Sequence, residues 1–114
     1  MVYDKANELA RELSHSEEYQ TYKATRAAAM ENETTRSLIG ELHQLQLRAQ
    51  AAMVSGQKDE EALERMQKIS ELLQFNQQAS AYLMAELRLH RMLGDVYKIL
   101  ADAIDLDTSM LSDE

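Results

Sequence analysis

The long stretch from Asn76 to Ile104 constrains the fold more than any other part of the sequence. Apolar side chains recur there at intervals of three and four residues, and no proline interrupts them. This spacing is that of an α-helix with an apolar face. Elsewhere the apolar residues are also mostly Ala, Leu and Met, which lose little side-chain freedom in a helix. No segment shows the two-residue alternation of a strand, so the sequence predicts an all-α protein.

Break signals divide the chain into about five predicted helices. Ser14 with Glu17 fits a capping box, and Asn32 or Thr34 can cap the third helix. The connections are short, so we expect an antiparallel helical hairpin or bundle with long central and C-terminal helices, the third packing against the fourth and fifth. We also expect one domain over residues 1–106 and an acidic, frayed tail over residues 107–114. The predicted helices span about residues 3–13, 17–30, 35–54, 59–73 and 77–104.

Apolar stripes on the third and fourth helices predict a core between them. The third helix follows the four-three spacing of a heptad seam, and Gly56 can end it in the left-handed conformation. Its seam consists of Leu38, Leu42, Leu45, Ala49 and Ala52. The stripe of the fourth helix consists of Leu63, Met66, Ile69, Leu72 and Leu73.

The last helix has a wider apolar stripe than one neighbour would cover. Two adjacent seams can be drawn on it, whereas the apolar arc of an ordinary surface helix is about 100° wide. The extra width predicts contact on both sides, with helices of the same chain and with a second subunit. We therefore expect a homodimer or higher oligomer that also binds another protein. The candidate dimer or partner face consists of Leu83, Leu87, Leu89, Leu93, Val96, Tyr97 and Leu100.

Glu86 and His90 are the main candidates for a polar site. They lie four residues apart on this otherwise apolar face, so they share one side of the helix. We predict a buried polar pair that fixes the register of packing, with Arg26 or Arg48 as a further partner for the carboxylate. The alternative is a ligand- or metal-binding helical bundle centred on these two side chains. His43, among polar neighbours, is expected at the surface.

Other residue patterns that carry chemistry are missing from the sequence. The chain contains no cysteine, which excludes a disulfide framework, a thiolate zinc site and an iron–sulfur cluster. Glu12 and His15 form one Glu-x-x-His pair, whereas a di-iron bundle needs two such pairs and further glutamates. No phosphate-binding loop or nucleophile–base arrangement is present. We therefore predict a non-enzymatic protein with no catalytic residues, no metal and no cofactor.

Charge and hydropathy narrow the classes of partner. The net charge of −8 argues against direct binding of nucleic acid, which needs a clustered positive surface. No apolar run approaches the roughly 20 residues needed to cross a bilayer, so no membrane insertion is expected. The N-terminal residues lack the layout of a signal peptide, and the expected compartment is the cytoplasm.

Several segments resemble the YlbF/YmcA (Com_YlbF) family, especially its YheA-like UPF0342 branch. The resemblance is carried by residues 73–89, LQFNQQASAYLMAELRL, and continues through residues 90–100, HRMLGDVYKIL. Residues 3–9, YDKANEL, and a third helix that contains Gln46 and ends at Gly56 also match. The resemblance covers essentially the whole chain and rests on the order and spacing of these helical segments.

The resemblance implies a YheA/YmcA-like helical hairpin that forms homodimers or higher oligomers. It also implies a regulatory role, because some members act in a complex that promotes competence, sporulation and biofilm formation in Gram-positive bacteria. That complex is associated with a membrane-anchored endoribonuclease and messenger RNA maturation. Certain members carry C-terminal cysteines linked to an iron–sulfur cluster, which this cysteine-free sequence cannot hold. The UPF0342 branch itself has no settled function.

Overall fold

The structure is a computed structural model that describes residues 1–105. Those residues form five α-helices and no strand, which confirms the all-α prediction. The predicted frayed tail at residues 107–114 lies outside the described residues. The helices are α1 (Val2–Ser14), α2 (Glu17–Ala29), α3 (Glu33–Val54), α4 (Glu60–Leu73) and α5 (Gln77–Ala103).

Side-chain caps begin four of the five helices. At each of these starts, a side-chain oxygen accepts a hydrogen bond from a backbone N–H three residues later, which satisfies a donor that the first turn leaves unpaired. Ser16, and not the predicted Ser14, caps α2; the Ser14 hydroxyl instead donates to the carbonyl of Arg11. The four caps are Ser16, Asn32, Asp59 and Asn76.

The turn after α3 sends the chain back along the same helix. Gly56 adopts a positive φ of 76°, a conformation that costs other residues about 1 kcal/mol or more. Its N–H donates to the carbonyl of Met53 at 2.9 Å, and the N–H of Gln57 donates to that of Ala52 at 2.8 Å. This pattern is a Schellman motif, and it places α4 antiparallel to α3.

The hairpin of α3 and α4 contains most of the buried core. Leu42 and Leu45 of the predicted seam are buried against Ile69 and Leu73. Leu63 and Leu72, however, are 37% and 60% exposed. The face that meets α3 runs through Ala62, Met66, Ile69 and Leu73, and this four-three-four spacing leaves both leucines on its flanks.

The other close helix pair is α2 with α5. Ala29 of α2 and Ala79 of α5 are both buried in the core, and Tyr22 packs on Tyr82 with ring centroids 5.7 Å apart. We expected α5 to pack along α3, but these two helices meet mainly near their beginnings. There, the side-chain amide of Asn76 donates to the hydroxyl of Thr35 at 2.9 Å.

The two helix pairs form the arms of a flat V. They join at the connections from α2 to α3 and from α4 to α5, and then diverge. The molecule measures 47 × 36 × 16 Å, with a radius of gyration of 16.6 Å. The first helix, α1, buries none of its side chains and packs weakly against α2. The V shape leaves the inner faces of α3 and α5 open.

Candidate interaction surface

A groove with a volume of about 1300 Å³ lies between the arms of the V. Its floor is apolar and includes Ile39, Leu42 and Met66. One wall is a second face of α3, turned away from α4, which contains Gly40, His43, Leu47 and Gln50. This face also has heptad spacing, but its hydropathy does not predict it, because only Leu47 among these four residues is strongly apolar.

The opposite wall belongs to α5 and continues beyond the groove. Leu83, Glu86 and His90 line the groove, and the same helical spacing leads on to Leu93, Tyr97, Leu100 and Ile104. These last four side chains are 42%, 41%, 56% and 73% exposed. We call the continuous surface of these seven residues the α5 stripe.

The predicted dimer or partner face lies on and beside the α5 stripe. None of its seven residues is buried in the single chain. Leu83, Leu89 and Val96 are half-buried, whereas Leu87, Leu93, Tyr97 and Leu100 are exposed. The whole predicted face is thus at least partly accessible to another molecule, and its role as an interface stays a prediction.

A polar cluster sits in the groove where α3 approaches α5. The hydroxyl of Tyr82 donates to Oε2 of Glu86 at 3.1 Å, and Nε2 of His43 lies 2.9 Å from the same oxygen. The imidazole contact is not aligned as a hydrogen bond, and this buried nitrogen has no other partner among residues 1–105. Burial, reinforced by the negative charge of Glu86, raises the pKa of Tyr82 well above 10. The phenol therefore stays protonated and remains a donor to the carboxylate.

The structure joins Glu86 to a different histidine from the one predicted. His90 is exposed, and the contacts of Glu86 are with His43 and Tyr82. The expectation that His43 lies at the surface was wrong, because it is half-buried and edge-on to Tyr82 at 6.3 Å. The predicted partner Arg48 instead binds Asp59 at 3.1 Å.

Metal-binding clusters and membrane-spanning helices are both absent from residues 1–105. Within residues 1–105, no three His, Cys, Asp or Glu side chains come together as a metal site. Nδ1 of His15 lies 2.7 Å from the carbonyl of Arg11, so this histidine helps to close the end of α1. None of the described helices combines the length and apolar character that crossing a bilayer requires. The alternative of a metal site at Glu86 and His90 stays a prediction.

Comparison with known proteins gives consistent matches over nearly the full chain. Residues 2–105 match the family model described as "Control of competence regulator ComK, YlbF/YmcA". The chain is 37% identical to a UPF0342 protein of Symbiobacterium thermophilum over 93% of this chain and 96% of that protein. It is 34% identical to a UPF0342 protein of Clostridium tetani over 97% of both chains. A UPF0342 protein of Halothermothrix orenii is 34% identical over 92% of this chain and 90% of its own length.

Proposed function

Because this chain belongs to the YlbF/YmcA family, we propose that it is a non-enzymatic, oligomeric regulatory protein that acts by binding other proteins. The family description concerns control of a competence regulator, and the similar proteins are named only as UPF0342 proteins. A role in regulation through protein contacts is compatible with both.

The observation that supports it is the uncovered outer part of the α5 stripe. Leu93, Tyr97 and Leu100 lie on one helix face with two-fifths or more of their surface exposed. Covering apolar surface is favourable by about 25 cal/mol per Å², and contiguous exposed apolar patches are a mark of interaction sites. A protein partner that covers this face gains that stabilisation.

The polar cluster suits recognition better than chemistry. Glu86 accepts a hydrogen bond from Tyr82 and lies against His43, beside the apolar floor of the groove. Polar groups placed in this way commonly fix the orientation of the molecule that a binding site holds. Nothing in its described surroundings activates a nucleophile or assembles an oxyanion site. We therefore assign the cluster a role in selecting and orienting the bound protein.

The mass of the protein in solution tests the proposal. We expect multi-angle light scattering of untagged protein at micromolar concentration to give the mass of two or more chains, because the α5 stripe of a single chain is left uncovered. A mass of one chain at every concentration would remove the oligomer and the main support for an interaction role.

A further inference from the structure

We propose that two copies of this chain interlock, each inserting the outer part of its α5 into the groove of the other. This packing rests on the proposed oligomer and specifies its geometry. The outer part of α5, residues 93–104, is the segment whose stripe has no cover in the single chain. The groove is the open space beside the inner part of the same stripe. In a two-fold symmetric dimer, the outer α5 of each copy enters the groove of the other, so the same contact forms twice.

The size of the groove suits this occupant. An α-helix about 10 Å across rises 1.5 Å per residue, so a helical residue occupies on the order of 120 Å³. A groove of about 1300 Å³ therefore accepts about three turns of helix. Residues 93–104 form about three turns, and they end in an apolar side chain, Ile104.

The spacing of the α5 stripe fixes the register of the pair. We place the two copies of α5 antiparallel, with the two-fold axis passing between Arg91 and Met92. Each layer of the contact then pairs one residue of the α5 stripe with a stripe residue of the partner helix. Leu83 then faces Leu100 of the partner subunit, and His90 faces Leu93 of the partner subunit. Glu86 faces Tyr97 of the partner subunit, and the symmetry repeats each layer.

The contacts of Glu86 distinguish this register from the one shifted by a heptad. A carboxylate has room for several donors, yet Glu86 accepts one aligned hydrogen bond from residues 1–105. Tyr97 has an exposed phenol with no hydrogen-bond partner among those residues. A shift by one heptad would place Glu86 against Ile104 of the partner subunit, where an unpaired carboxylate in an apolar contact is costly.

Charge also favours a position of the C-terminal end of α5 near the junction of the partner's two arms. Arg26 and Arg36 line the groove, and neither has a carboxylate within 4.0 Å in the part of the chain that the structure describes. Asp105 follows the end of α5 directly after Ile104, and the helix C-terminus itself carries a partial negative charge. In the proposed register these groups approach the two arginines of the partner subunit.

Cysteine cross-linking tests the register, because the natural chain has no cysteine. A tagged Leu83→Cys variant is mixed with an untagged Leu100→Cys variant, allowed to exchange subunits and oxidised mildly. We expect a mixed disulfide-linked dimer on a non-reducing gel, at least about tenfold above each variant alone. Positions 83 and 100 of one helix are about 25 Å apart, whereas a disulfide joins Cα atoms about 6 Å apart. The link must therefore form between chains.

Matched controls separate the possible results. Leu72→Cys, at an exposed leucine of α4, should not cross-link with Leu100→Cys. If Leu93→Cys cross-links with Tyr97→Cys while Leu83→Cys does not cross-link with Leu100→Cys, the proposed register is wrong. An intrachain link in a Leu83→Cys/Ser112→Cys variant would assign the groove to the chain's own C-terminal segment. If the wild-type protein is a dimer but no mixed product forms, this packing is wrong while the proposed function stands; a monomer removes both.

Discussion

Glu41 and Arg65 form the best-aligned ion pair between α3 and α4. Nε of Arg65 donates to Oε2 of Glu41 at 2.8 Å, and a second guanidinium nitrogen donates to Oε1 at 3.0 Å. The hydrogen bond from Arg65, more than its charge, lowers the pKa of Glu41 below 4.5. At the start of α4, Asp59 accepts from the N–H of Ala62 and binds Arg48, and its pKa is also lowered. Both carboxylates favour the folded state when ionised.

Acid should therefore weaken the α3–α4 hairpin. A carboxyl group with a lowered pKa contributes its stability above the pKa of the unfolded chain and loses it as the pH falls through the folded value. We expect the free energy of unfolding, measured with urea, to decrease as the pH drops below about 4.5, the ordinary pKa of Glu41. Glu41→Gln should show a shallower decrease than wild type. Parallel pH profiles for the two proteins would contradict this assignment.

The polar cluster could be predicted only in part from the sequence. The spacing placed Glu86 on the apolar side of the last helix, and the structure agrees. Its partner could not be read in the same way, because the three- and four-residue rule relates only side chains of one helix. His43 comes from α3, and only the angle between the arms brings it to Glu86.

Individual helices were largely predictable because their limits depend on nearby residues. Asn32 and Asp59 cap helices close to the predicted starts, and Gly56 ends α3 as expected. The buried face of α4 was less predictable. Leu72 is apolar but 60% exposed, whereas Ala62 is fully buried. A small residue where two helices approach closely is buried more completely than a large residue on the flank of the contact. Hydropathy alone does not distinguish these two positions.

Two glycine-to-alanine changes should have opposite effects on stability. Gly56 has a positive φ, whereas Gly94 lies within α5, and an added Cβ meets no atom within 4 Å at either position. Gly56→Ala should lower the free energy of unfolding by about 1 kcal/mol through backbone strain. Gly94→Ala should raise it by about 0.5–1 kcal/mol because alanine restricts the unfolded chain. Urea denaturation at equal protein concentration measures both, and changes of the same sign would refute the conformational explanation.

The shape of the whole molecule follows from which helices pair. A compact chain of this length would have a radius of gyration of about 13 Å, and the observed 16.6 Å reflects the open V. The short connections and the hairpin were predictable from the sequence, but α5 packs against α2 and not, as expected, along α3. Several antiparallel pairings satisfy the same apolar stripes. The choice between them depends on contacts far apart in the sequence, such as Tyr22 against Tyr82.

The most direct test of the interaction surface is the mass of matched charge variants by sedimentation equilibrium. Leu93→Glu/Leu100→Glu places two carboxylates on the α5 stripe, while Leu72→Glu places one carboxylate on α4, at a leucine that is also exposed. Burying a carboxylate without a partner is costly, so the double variant should associate at least about 100-fold more weakly than wild type. We expect it to sediment as a single chain with unchanged helix content by circular dichroism, while Leu72→Glu stays associated. A double variant that associates as tightly as wild type would contradict the assignment of the α5 stripe as the interface.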